Sequence, residues 1–81
     1  MYKEVKSVIA IEDYKLILTF EDGTKRQLEM KKFLEIPPFD KLKDYKIFKQ
    51  VTPSFDTVEW PINIDIDPEI LIQESSEFID F

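Results

Sequence analysis

Apolar and polar residues alternate over most of the first thirty positions. A period of two is the pattern of a β-strand, whose side chains point to opposite faces in turn. In Tyr14-Lys15-Leu16-Ile17-Leu18-Thr19-Phe20 the even positions are apolar or aromatic, and Leu28 and Met30 continue the even series after the turn. Between the two runs lies Glu21-Asp22-Gly23, which holds the only glycine of the chain. Parity decides the turn. A two-residue loop at Asp22-Gly23 would set Leu18 against Gln27, apolar against polar. A three-residue loop sets Phe20 against Thr24 and Leu16 against Leu28, so that like faces agree. Such loops end in a left-handed residue, and Gly23 stands where it is needed, because it has no Cβ to clash there. A bulged hairpin is predicted, with Gly23 in a structural role.

Lys3 to Glu12 reads as a preceding strand with Val5, Ser7, Ile9 and Ile11 on the core face. A short connection at Glu12-Asp13 would pair Ile11 with Tyr14 and Ile9 with Leu16, and parity agrees for either a two- or a four-residue loop. The result is a three-stranded antiparallel meander over residues 3–29. Its other face carries Val8, Ala10 and Ile17, so the C-terminal segment or another chain is expected to cover part of it.

After the meander the period changes. Met30 to Ile36 is read as a single helical turn carrying Phe33 and Leu34, ended by Pro37-Pro38. Positions 39, 42, 45 and 48 (Phe, Leu, Tyr, Phe) have helical spacing, Asp44 is placed as an N-cap, and Lys41, Lys43, Lys46 and Lys49 form a solvated face. Two short strands are predicted around Ser54-Phe55-Asp56, the first confined to an edge by Pro53. Trp60, the largest apolar side chain, is assigned to the core. Asn63 to Asp67 alternates again. In Asp67-Pro68-Glu69 an N-cap is followed by proline at the first helical position and an acid in the first turn, so Pro68 begins a C-terminal helix. The expected fold is α+β: an antiparallel three-stranded meander followed by short helices, a second short strand pair and a C-terminal helix. Residues 1–72 form one domain and residues 73–81 an acidic-apolar tail.

Composition narrows the chemistry. The chain has 81 residues with no cysteine and no histidine. Disulfides, thiolate and imidazole catalysis and the usual zinc sites are therefore excluded. No cofactor is expected. The N-terminus has no apolar signal core, and no stretch approaches the ~20 apolar residues of a membrane span, so a cytoplasmic protein without membrane contact is expected. Charge is unevenly placed. The eleven Lys and Arg all lie in residues 1–49 beside nine acids, for +2, while residues 50–81 hold eight acids and no base, for −8; the whole is −6. Direct nucleic-acid binding by the lone chain is disfavoured, because phosphate contact needs clustered bases.

Two candidate chemistries can be weighed on the residues. Residues 63–74 place oxygens at positions 1, 3, 5 and 12 of a calcium loop, but position 6 is Pro68, where the loop needs a glycine. A strand followed by a helix cap accounts for the same residues. No serine has an evident base, no carboxylate pair is marked out, and no glycine loop cradles phosphate, so a non-enzymatic role is expected.

The ordered set Glu4-Val5-Lys6-Ser7-Val8, Tyr14 to Gly23, Phe39 to Asp44, Phe48, Val51, Val58-Glu59-Trp60-Pro61 and Asp65 to Leu71 resembles the bacterial family called domain of unknown function 2442, over about residues 3–72. Ile36-Pro37-Pro38-Phe39 departs from the family's frequent glycine before the proline–phenylalanine step. The resemblance implies a small α+β domain that often accompanies a second small protein in an arrangement suggesting a toxin–antitoxin pair, and it carries over no catalytic residue. The expectation is a protein-binding module, antitoxin-like, for a small basic protein. It would bind through Asp65, Asp67, Glu69, Glu74 and Glu77, with Phe78 and Phe81 as apolar anchors; a homodimer is a further expected arrangement. The alternatives are a DNA-associated regulatory domain acting through a partner, and a small-molecule site using carboxylates near Trp60.

Overall fold

The computed structural model describes residues 3–78. Among these residues, seven strands form two antiparallel sheets. The first has the order β1-β2-β3-β7, from β1 (Val5–Ile11), β2 (Lys15–Phe20), β3 (Lys25–Glu29) and β7 (Ser76–Glu77). The second has the order β4-β5-β6, from β4 (Thr52–Ser54), β5 (Thr57–Trp60) and β6 (Ile64–Asp65). Between them run two 3-10 turns, Lys31–Phe33 and Phe39–Lys43, and the short helix α1 (Tyr45–Phe48); α2 (Pro68–Glu74) precedes β7.

The β2–β3 hairpin has the predicted register, with Leu16 opposite Leu28 and Thr19 opposite Lys25. Phe20 donates its N–H to Thr24 O, Gly23 donates back to Phe20 O, and Gly23 sits at φ +88°. Asp22 completes the turn by accepting from both the N–H and the hydroxyl of Thr24.

The first strand corrects its expected faces. A bulge between Val5 and Ser7 inserts one residue, so Val5 and then Val8 and Ala10 face the core, while Ile9 and Ile11 face out. The loop to β2 has three residues, with Asp13 and Tyr14 both at positive φ, and it pairs Ile11 with Lys15 and Ile9 with Ile17. Tyr14 explains the choice. Its ring packs edge-on against Tyr45 at 5.6 Å and Phe48 at 5.1 Å, and its hydroxyl donates to Lys43 O. Burying this aromatic among the helices outweighs its place in the ladder.

The core lies between the even face of the meander and everything that follows. Leu16, Leu18, Phe20, Leu28 and Met30 meet Leu42 and Phe48 from the helical layer, Val58, Trp60 and Ile64 from the second sheet, and Leu71 from α2. Trp60 is only 3% exposed, and its Nε1–H donates to Phe48 O at 2.9 Å, fixing the second sheet to α1. Asp44 caps α1 by accepting from the Lys46 N–H, and Asp67 caps α2 by accepting from the Glu69 N–H, with Pro68 at the start of the helix as expected.

Two elements extend the expected plan. Ile64–Asp65 makes the second strand pair a three-stranded sheet, and Ser76–Glu77 adds a fourth strand to the meander. The division placed at residue 72 falls inside α2, so the first part of the expected tail belongs to the folded unit.

Candidate functional site

The candidate site is built on the outer face of the second sheet. Core pairing sets it up: Trp60 lies opposite Ile64 across β5 and β6, and this alignment puts Glu59 directly opposite Asp65. Both carboxylates are exposed, and neither has an ion-pair partner among the described residues. Directly opposite residues hold their Cβ atoms about 5 Å apart, and like charges there are destabilising. Asp67 and the first-turn acid Glu69 follow Asp65 along the chain, both exposed, so the strip reads Glu59, Asp65, Asp67, Glu69. The Asp67 carboxylate is committed to the α2 cap, which accounts for residues 63–74 as a strand and a capped helix rather than an ion-binding loop.

Beside the strip a hollow of about 350 Å³ is lined by Gln50, Thr52, Glu59, Trp60, Pro61, Ile62 and Asn63. Its rim is strained. Ile62 and Asn63 both adopt left-handed backbone, at φ 64° and 60°, and Ile62 is 54% exposed. A β-branched residue is an outlier in that region, at a cost of about 1–3 kcal/mol, and such strain concentrates at functional surfaces.

The other residues expected to bind a partner lie elsewhere. Glu74 makes an ion pair with Lys32 at 2.8 Å, and the Lys32 ammonium also donates to Glu74 O. Glu77 is exposed on β7, opposite Arg26 in register. Phe78 is half-buried and donates its N–H to Lys25 O. Phe81 lies outside the described residues. The structure thus sets Asp65 opposite Glu59, with Asp67 and Glu69 following along the chain, while Glu74 is paired with Lys32 and Glu77 belongs to the other sheet.

Glu59 was not singled out by sequence reading, though a signal existed. Pairing Trp60 with Ile64 as core residues around Pro61-Ile62-Asn63 places Glu59 against Asp65 at once. Arg26 was also missed. It stands on the even face of β3, where an apolar side chain is expected, and donates from Nε to Ser75 Oγ and from Nη2 to Ser75 O, both at 2.7 Å.

These features define a small α+β domain of two antiparallel sheets with an unneutralised acidic strip on the smaller one. The family model described as "Protein of unknown function (DUF2442)" matches residues 5–77, and the chain belongs to that family. Comparison with curated proteins gave no match, and comparison with solved structures gave none. No helix among the described residues is long and apolar enough to cross a membrane.

Proposed function

We propose that this chain is a non-enzymatic protein-binding module, the antitoxin-like partner of a small basic protein in a bacterial toxin–antitoxin type pair, and that it binds through Glu59, Asp65, Asp67 and Glu69. One observation carries the reading. Glu59 and Asp65 face each other with no cation in reach among the described residues, an arrangement that lowers stability by a few tenths of a kcal/mol without a fold requirement for either charge. Lysine or arginine side chains of a partner would relieve it, and complementary charge chiefly speeds association.

The test is affinity capture from bacterial lysate at low and high salt, with wild type and Asp65→Asn, followed by binding kinetics on the captured protein. The expected result is a stoichiometric basic partner released by salt, with a several-fold slower association for Asp65→Asn. The same variant should melt slightly higher than wild type. A partner bound equally by both, with no salt dependence, would refute the role of the strip.

A small-ligand role has one observation in its favour, the strained hollow beside Glu59 and Trp60. Trp60 fluorescence titrated across cationic metabolites tests it. Since the indole N–H is held by Phe48 O, a ligand would be sensed through Glu59, Thr52 and Gln50 rather than through a bond to the ring nitrogen.

A further inference from the structure

The turn between β4 and β5 carries an aromatic side chain that the fold does not use. Ser54 pairs with Thr57, so the loop has two residues, Phe55 and Asp56. Phe55 takes φ 54°, and of the two it alone is at positive φ. In a two-residue hairpin this marks a type II′ turn, whose first central position favours glycine. A benzyl side chain there is strained. Burial does not offset the strain, because Phe55 is 81% exposed and lies outside the core. The turn is nevertheless held in place. Val5 donates its N–H to Phe55 O at 2.7 Å, and at the end of the turn the Thr57 hydroxyl donates to Ile66 O at 2.6 Å. An aromatic side chain carried on a fixed backbone loses little freedom on binding, and buried aromatic anchors dominate the energetics of protein interfaces.

The surroundings of Phe55 select what it would meet. The Thr57–Ile66 bond puts the Ile66–Asp67 peptide against Thr57, so Asp67 lies on one side of the residue that Asp56 precedes in sequence. Phe55 and Glu59 are four positions apart, about 13 Å at the rise of a strand. Glu59 in turn faces Asp65. Asp56, Glu59 and Asp65 have no ion-pair partner among the described residues. A second copy docked turn to turn, an anionic membrane or a nucleic acid would bring like charge against these acids, and a basic protein brings the opposite charge. We propose, resting on the role of the acidic strip in binding a small basic protein, that Phe55 is the apolar anchor of that complex. The ring enters an apolar pocket of the partner, and lysine or arginine side chains beside the pocket meet Glu59 and Asp65 at the spacing given above. The two parts act on different rates. Charge on the strip speeds association, and desolvation of the ring slows dissociation.

Photo-crosslinking of the full chain bearing Phe55→p-benzoylphenylalanine in bacterial lysate, followed by mass spectrometry of the joined peptides, identifies the occupant. The expected product is one basic protein, joined at an apolar residue flanked by lysine or arginine. Joining to a second copy of the chain, to an acidic protein or to lipid overturns the proposal. Kinetics on that basic protein, purified, then separate the two parts. Phe55→Gly should dissociate about 30-fold faster with its association rate unchanged. It should melt no lower than wild type, because glycine suits the turn. Phe55→Leu keeps an apolar side chain and should lose less. Equal dissociation of Phe55→Gly and wild type, with Asp65→Asn still slower to associate, overturns the anchor and leaves the strip. A wild type that binds no basic protein overturns both. A Phe55→Gly variant that melts clearly lower means that the ring packs within the domain, and this also overturns the proposal.

Discussion

Arg26 offers the sharpest test of how the second half of the chain is tied to the first. It sits in β3, opposite Leu18 on one side and Glu77 on the other, and is half-buried. Its guanidinium makes two bonds of 2.7 Å to Ser75, one to the hydroxyl and one to the carbonyl, and a longer one of 3.3 Å to Ile72 O. Helix α2 has no basic residue in its own last turn, so Arg26 supplies the cation that its C-terminal carbonyls favour. Arg26→Met keeps a long unbranched stem and removes these bonds. Ile72 O retains the Ser75 hydroxyl at 3.2 Å, so the loss falls mainly on the two short bonds. Charge-assisted bonds contribute about 1.5–3 kcal/mol each, and partial exposure discounts them, leaving a net loss of about 2–3 kcal/mol. In a domain of this size that lowers the melting temperature by about 10–20 °C. Arg26→Lys keeps the charge but loses the two-pronged geometry, and should fall about halfway. Urea melts followed by Trp60 fluorescence give the global term, and hydrogen exchange gives the local one. Amides at 75–78 should lose protection before those of Leu16 and Leu18. Stability within about 0.5 kcal/mol of wild type, with exchange at 75–78 unchanged, would refute the clamp.

Three further outcomes are expected. Ile62→Asn should stabilise the domain by about 1 kcal/mol, because asparagine tolerates left-handed backbone and little burial is lost; a destabilised variant in chemical melts would mean that the Ile62 side chain packs more than its exposure shows. Trp60→Phe should cost about 2–3 kcal/mol by leaving Phe48 O buried without its donor, read by thermal melts; a loss of only a few tenths would mean that water replaces the indole. Asp22 is held well below the ordinary aspartate value of 3.8, first by its bond to Lys3 and then by the hydroxyl and N–H of Thr24. A carboxyl depressed in the folded state contributes stability above its unfolded value and loses it as the pH falls through that value toward the folded one. The acid limb of the stability curve below about pH 4 should therefore flatten in Asp22→Asn, and an identical limb would remove Asp22 from the account.

How far the fold could be read from the residues depended on whether one face of each element was unambiguous. The β2–β3 hairpin was legible because Leu16, Leu18, Phe20, Leu28 and Met30 share a parity, which admits only the three-residue loop, and Gly23 stands at that loop's left-handed position. The caps at Asp44 and Asp67 were legible because capping is local. The facing of β1 was not. Val5, Ile9 and Ile11 on odd positions compete with Val8 and Ala10 on even ones, and a bulge changes parity with no residue to announce it. The choice was made far away, by the pull of Tyr14 into the rings of Tyr45 and Phe48. The fourth strand was hidden for a related reason. Ser76-Glu77 carries no strand signal of its own and is set beside β3 by the grip of Arg26 on Ser75. At the candidate site, acidity alone grouped Asp65, Asp67 and Glu69 with Glu74 and Glu77. Lys32 neutralises Glu74, a contact 42 residues apart in sequence.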